Sequence, residues 1–143
     1  MTTKSVLGGA FLMLLAGSSV WAQGAEEGFV SLFDGKTMNG WTRHGGEATY
    51  AVEDGAIAGH IQDAKRNTFL CTDKTYGNFI LRLEFKLESG NSGVQFRSAV
   101  RPNADKSETV FGYQSEIAAE SDRVARIYDE GRRGFKFGRI WLD

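Results

Sequence analysis

Four polar residues, set two apart in pairs, carry the first chemical suggestion in this chain: Gln95 and Arg97, then Gln114 and Glu116. Val94 and Phe96 interleave the first pair, and Tyr113, Ser115 and Ile117 flank the second. Period-two alternation puts each set on one face of a β-strand. With both apolar rows on the core, two amides, a guanidinium and a carboxylate would form a fixed polar floor. Such a floor can hydrogen-bond a sugar or other polyol, because rigid strands hold each side chain in place. The plainer alternative is a solvated sheet face with a cross-strand Arg–Glu pair worth ~0.2–1 kcal/mol.

Tyr128-Asp129-Glu130-Gly131-Arg132-Arg133 is a denser group. Its carboxylates can serve as bases and its guanidiniums can steady a developing negative charge, although charged turns are commonly just solvated. His44, in a loop reading Trp41-Thr-Arg-His-Gly-Gly46, and His60 can each be a base or a ligand; a lone loop histidine is more often neither. The candidate catalytic carboxylates are therefore Glu116, placed first for its rigid strand, and Asp129 and Glu130 on a looser turn. Gln95, Arg97, Gln114, Tyr128, Arg132 and His44 are the candidate substrate contacts. No Walker loop, dinucleotide fingerprint, Ser-His-Asp order or Cys/His metal spacing is present.

The elements that must position these groups read as strands. Asn78 to Glu88 alternates without a break: Phe79, Leu81, Leu83, Phe85 and Leu87 fall on one side, Arg82, Glu84, Lys86 and Glu88 on the other. Ser89-Gly-Asn-Ser-Gly93 then predicts a hairpin returning through Val94–Arg97. Phe29–Phe33, Phe69–Thr72, Val110–Ala118, Ile127–Glu130 and Phe135–Trp141 are further strands. Asp54-Gly55 predicts a hairpin between Thr49–Glu53 and Ala56–His60. Gln62–Thr68 and the polar run Ser98–Thr109 read as loops, Ala118–Arg126 as a loop or helical turn, and Trp41 as a plug at the core's edge. No segment shows a sustained helical stripe or a solenoid repeat, so the expectation is an all-β sandwich or barrel.

The chain's 143 residues suit a leader followed by one domain. Lys4, the apolar run from Val6 to Ala16 and the small residues before Ala22 predict a secretory signal peptide over 1–22, with the mature protein starting at Gln23. The apolar run is too short to span a bilayer comfortably, and no later segment resembles a membrane span. Removing Lys4 with the leader takes 17 basic residues to 16 against 18 acidic, a net charge of −2. That balance gives no reason to expect nucleic acid as a partner. Cys71 is the sole cysteine, so no internal disulfide forms; a buried, inert thiol is expected. Residues 23–143 form the expected domain, and the stop just after Ile140-Trp141 suggests that it is incomplete at its C-terminal end.

Five blocks carry a family resemblance: Leu32–Trp41, Tyr76–Lys86, Gly90–Arg97, Gly112–Ile117 and Ile127–Arg133. In this order they resemble the secreted bacterial family once called domain of unknown function 1080, now described as 3-keto-disaccharide hydrolases. The resemblance spans nearly all of the mature segment. It implies a concanavalin A-like jelly-roll sandwich of two antiparallel sheets, with Gln95, Arg97, Gln114 and Glu116 in a sugar cleft. Family members continue for several more strands, in keeping with a truncated domain. The Glu-x-Asp-x-x-Glu motif of glucanases with that fold is missing, so two-carboxylate glycoside hydrolysis is not expected.

The chemistry implied instead starts from a ketone at C3, which acidifies the C2 proton because the carbanion delocalises as an enolate. A base removes that proton, the C1 oxygen leaves by elimination, and water adds back. A divalent metal with oxygen ligands, or hydrogen-bond donors, would hold the enolate oxygen. The implied protein is a secreted or periplasmic enzyme acting on a small carbohydrate. A non-catalytic carbohydrate-binding module of the same fold is the second reading, and a structural domain of a larger surface protein the third. Sugar binding without turnover would select the module.

Overall fold

The computed structural model describes residues 27–61, 63–119 and 125–134. Two compact units divide the chain, Met1–Leu32 and Phe33–Asp143. Of the first, the described part is a turn at Glu27-Gly28 followed by irregular chain. The second carries seven described strands, β1 (Trp41–Gly45), β2 (Thr49–Glu53), β3 (Ala56–His60), β4 (Thr68–Thr72), β5 (Asn91–Pro102), β6 (Glu108–Ala118) and β7 (Ile127–Glu130). Every pairing among them is antiparallel, and no helix occurs among the described residues. The fold is all-β, with the antiparallel sheets of a jelly-roll sandwich.

Three sheet pieces result, ordered β1-β4, β2-β3 and β5-β6-β7. β2 and β3 meet at the expected turn, with Glu53 opposite Ala56 and positive φ at Asp54 and Gly55. β1 was not foreseen as a strand: Trp41 opens it, half-buried opposite Thr72, and His44 sits inside it opposite Phe69 rather than in a loop. The Tyr50 hydroxyl donates to the Thr68 carbonyl and the Ala48 N–H to the Thr68 hydroxyl, tying the first two pieces together. Cys71 lies half-buried on β4, where burial and then the Glu108 charge raise its thiol's proton affinity.

The largest departure from the sequence reading concerns residues 78–88. They form no ladder with any described strand, and Phe79, Ile80, Leu83 and Phe85 are about half exposed or more. The alternation has meaning nonetheless. Phe79, Leu81, Leu83 and Phe85 line a groove of about 670 Å³ whose other wall includes Val94 and Phe96. β5 pairs not with this segment but with β6, running on to Pro102 through what reads as a polar loop. A tight turn joins β5 to β6. Asn103 N–H donates to the Ser107 carbonyl, its side-chain amide reaches the Ser107 and Thr109 hydroxyls, and Lys106 takes positive φ.

Phe29–Phe33 likewise makes no strand. The expected strand Phe135–Trp141, the leader 1–22 and most of the uncertain stretch Ala118–Arg126 lie outside the described residues. No helix among the described residues is long and apolar enough to cross a membrane.

Candidate active site

Register in the three-stranded sheet decides which side chains share a face. Gln95 lies opposite Gln114, Gly93 opposite Glu116, Gln114 opposite Tyr128 and Gly112 opposite Glu130. Directly opposed residues of an antiparallel pair point the same way. Gln95, Gln114, Glu116, Tyr128 and Glu130 therefore form one row across three strands. Tyr113, opposite both Phe96 and Asp129, belongs to the other face. Adjacent residues in a strand alternate, so Asp129 and Glu130, neighbours in sequence, are parted to opposite sides of the sheet.

The polar row is not solvated. Glu116 is 2% exposed and Gln114 8%. Glu116 accepts from the Asn91 amide at 3.1 Å on one oxygen and from the Gln114 amide at 2.9 Å on the other. Gly93 makes that second bond possible, because a Cβ there would run into the Gln114 side chain. On β7, Glu130 accepts from the Asn67 amide on both oxygens, each at 3.1 Å. Asn67 reaches across from just before β4, held by the Gly46 N–H donating to its carbonyl.

Electrostatics separate the carboxylates. Burial, assisted by the Glu116 charge, raises the proton affinity of Glu130 against the opposing Asn67 bond. Burial and the charges of Glu130 and Glu116 also raise that of Tyr128, so its hydroxyl keeps its proton as a donor. Asp129 has no exposed surface. Burial pushes its proton affinity up, but hydrogen bonds and charge from Arg133 and Arg132 outweigh it and hold the carboxyl below its ordinary range. Arg132 donates to it at 2.6 Å and stacks over the Tyr113 ring at 5.0 Å.

Several sequence expectations change here. Asp129 and Arg132 form an internal clamp on the face away from Glu116, which leaves neither placed for the row's chemistry. Arg97 leaves the row as well: it sits in a bulge between Phe96 and Ala99 with φ of 49° and lines the groove against residues 77–85. His44 is bonded through Nδ1 to Glu108 at 2.7 Å, at the opposite end of β6 from Glu116 and roughly 27 Å away along the strand. Asn67 and Asn91 are what the residue-by-residue reading missed. Asn91 stood in a motif taken for a hairpin turn, and Asn67 carried no signal, since its partner is 63 residues away.

The Asp129 clamp makes a testable claim on stability. A carboxyl whose proton affinity falls on folding stabilises the fold above its ordinary value of 3.8 and loses that contribution as pH drops through the folded value. Asp129→Asn is expected to lower the melting temperature by several degrees near neutrality. The gap to wild type should narrow as the pH falls below 3.8, in thermal melts followed by circular dichroism.

Among the described residues no group of three or more His, Cys, Asp or Glu side chains converges as a metal site. On the row the oxygens of Glu116 and Glu130 are met by amide N–H donors from Asn91, Gln114 and Asn67, which do not fit a divalent cation's need for oxygen ligands.

Comparison with known proteins adds a family. Residues 28–139 match the 3-keto-alpha-glucoside-1,2-lyase-like domain. The chain belongs to this family. A 3-keto-disaccharide hydrolase of Bacteroides thetaiotaomicron is 32% identical over 90 residues, which cover 56% of this chain and 31% of the relative. The chain thus spans about a third of the length of the curated relative it matches. Asn67, Asn91, Glu116, Tyr128 and Glu130 all lie inside the matched lyase-like domain.

Proposed function

We propose that this lyase-like domain cleaves the glycosidic bond of 3-keto-glycosides by elimination followed by hydration. The observation that carries the reading is the pair of buried carboxylates, Glu116 and Glu130, on one face with the Tyr128 hydroxyl and with their oxygens already bound by amides. Glu130 is the base. Its raised proton affinity strengthens it as a proton acceptor, and Asn67 fixes its orientation.

Glu130 takes the proton from C2, and the C2–H electron pair moves toward the C3 carbonyl as an enolate. The enolate collapses to a C1=C2 double bond, and the C1–O bond breaks with its electrons leaving on the aglycone oxygen. Water then adds, hydroxyl to C1 and hydrogen to C2. Tyr128, kept protonated, supplies a donor for developing negative charge. The family's lyase-like description and the relative's naming as a hydrolase correspond to the two halves of this route. The leader expected over residues 1–22 supports a site of action outside the cytoplasm.

A C2-deuterated 3-keto-α-glucoside tests the route. Elimination washes the deuterium into water during the first turnover. Cleavage with the label still on C2 would point to direct displacement, and binding with no cleavage would make the domain a carbohydrate-binding module.

A further inference from the structure

Asn39-Gly40 leads into β1 through a turn from Met38 to Trp41, closed by the Trp41 N–H donating to the Met38 carbonyl at 3.0 Å. Gly40 takes φ of 85° and Asn39 does not take positive φ, the pattern of a type II turn. Such a turn uses the N–H of its fourth residue and leaves that of its third outside the ring. Among the described residues nothing accepts the Gly40 N–H, and nothing bonds the exposed side-chain amide of Asn39. No other part of the described chain comes within 4 Å of where a Gly40 Cβ would stand, so the turn projects clear. The nearby Asp34-Gly35 is unlike it. Asp34 accepts from the Thr37 N–H and hydroxyl and from the Lys36 N–H, which lower its pKa to about 2 and keep it an ionised, poor electrophile.

We propose that Asn39 is a site of spontaneous deamidation through a cyclic imide. The Gly40 nitrogen attacks Cγ of Asn39 and gives up its proton. The bond from Cγ to the side-chain nitrogen breaks, and ammonia leaves carrying that proton. Water then opens the five-membered imide at one carbonyl or the other, giving aspartate or isoaspartate. Glycine permits the attack because no Cβ crowds the nitrogen. Isoaspartate routes the main chain through the former side chain, adding a carbon where the turn enters β1. There the Gly40 carbonyl accepts from the Asp73 N–H at 2.9 Å, and Trp41 pairs with Thr72. Both contacts depend on the length of the turn, so the modification loosens the start of β1.

Asn78 supplies an internal control. It is also exposed and outside any hydrogen bond among the described residues, but Phe79 follows it and crowds the attacking nitrogen. Trypsin releases Thr37–Arg43 and Thr75–Arg82, each with a single Asn and no Gln. After incubation of the folded protein in mildly alkaline buffer, the first peptide should gain about one dalton at least ~10-fold faster than the second, with isoaspartate in its product. Equal rates overturn the assignment, and so does a product with aspartate alone, which would mean direct hydrolysis. Reaction in urea but not in the folded protein overturns it as well, since the turn would then be protecting Asn39. Asn39→Gln requires a six-membered ring, which closes more slowly, and should hold its melting temperature while wild type loses several degrees. An equal decline in both removes the effect on β1.

Discussion

Glu130→Gln is expected to lower kcat on a 3-keto-α-glucoside about 1,000-fold while the protein stays folded. Gln fills the same space but cannot take the C2 proton. The fold should tolerate the change well. A carboxyl whose proton affinity rises on folding is least favourable to the folded state once ionised, so its contribution falls as pH climbs through the folded value. Near neutrality Gln removes that cost and keeps one oxygen for Asn67, so the variant should melt at or above the wild-type temperature. The pH profile assigns the roles. Glu130 must be ionised to act, so wild-type kcat/KM should fall on an acid limb above the ordinary glutamate value of 4.5. Glu116→Gln removes one of the causes raising Glu130, so the limb should move to lower pH with a smaller loss of rate. Were Glu116→Gln the variant that loses 1,000-fold and Glu130→Gln merely the shifted one, the roles would be reversed.

Gly45→Ala should damage the site from a distance. Gly45 ends β1 at φ of 87°, a conformation that penalises a Cβ, and the added carbon would lie 2.6 Å from the Asn67 carbonyl oxygen. That neighbour is backbone and cannot swing aside. Strain and clash together should cost about 2–4 kcal/mol, or roughly 10 °C or more in melting temperature. The activity of whatever still folds should also drop, because the displaced residue is the one whose amide holds both oxygens of Glu130. Thermal melts with kcat on the folded fraction check both halves. A variant as stable and as active as wild type would show that the crossing of β1 over Asn67 does not support the site.

Local pattern was enough for some of this protein. Period-two alternation around Gln95 and Gln114 assigned their shared face, and Asp54-Gly55 set the β2–β3 hairpin, since side-chain direction and turn conformation depend on only a few adjacent residues. Partner choice is another matter. Asn78–Glu88 has the alternation of a strand but no described ladder, because alternation says which side is apolar and not which backbone pairs with it. The polar row likewise reads as solvated until β1 and the chain entering β4 are seen against it. Glu116 and Glu130 stand 14 residues apart in sequence, and only the antiparallel β6–β7 register turns them to one face while sending Asp129 to the other. The proton affinities of Asp129 and Glu130 followed from that placement: burial with neighbouring charge moved them in opposite directions, a long-range property that no short stretch of sequence contains.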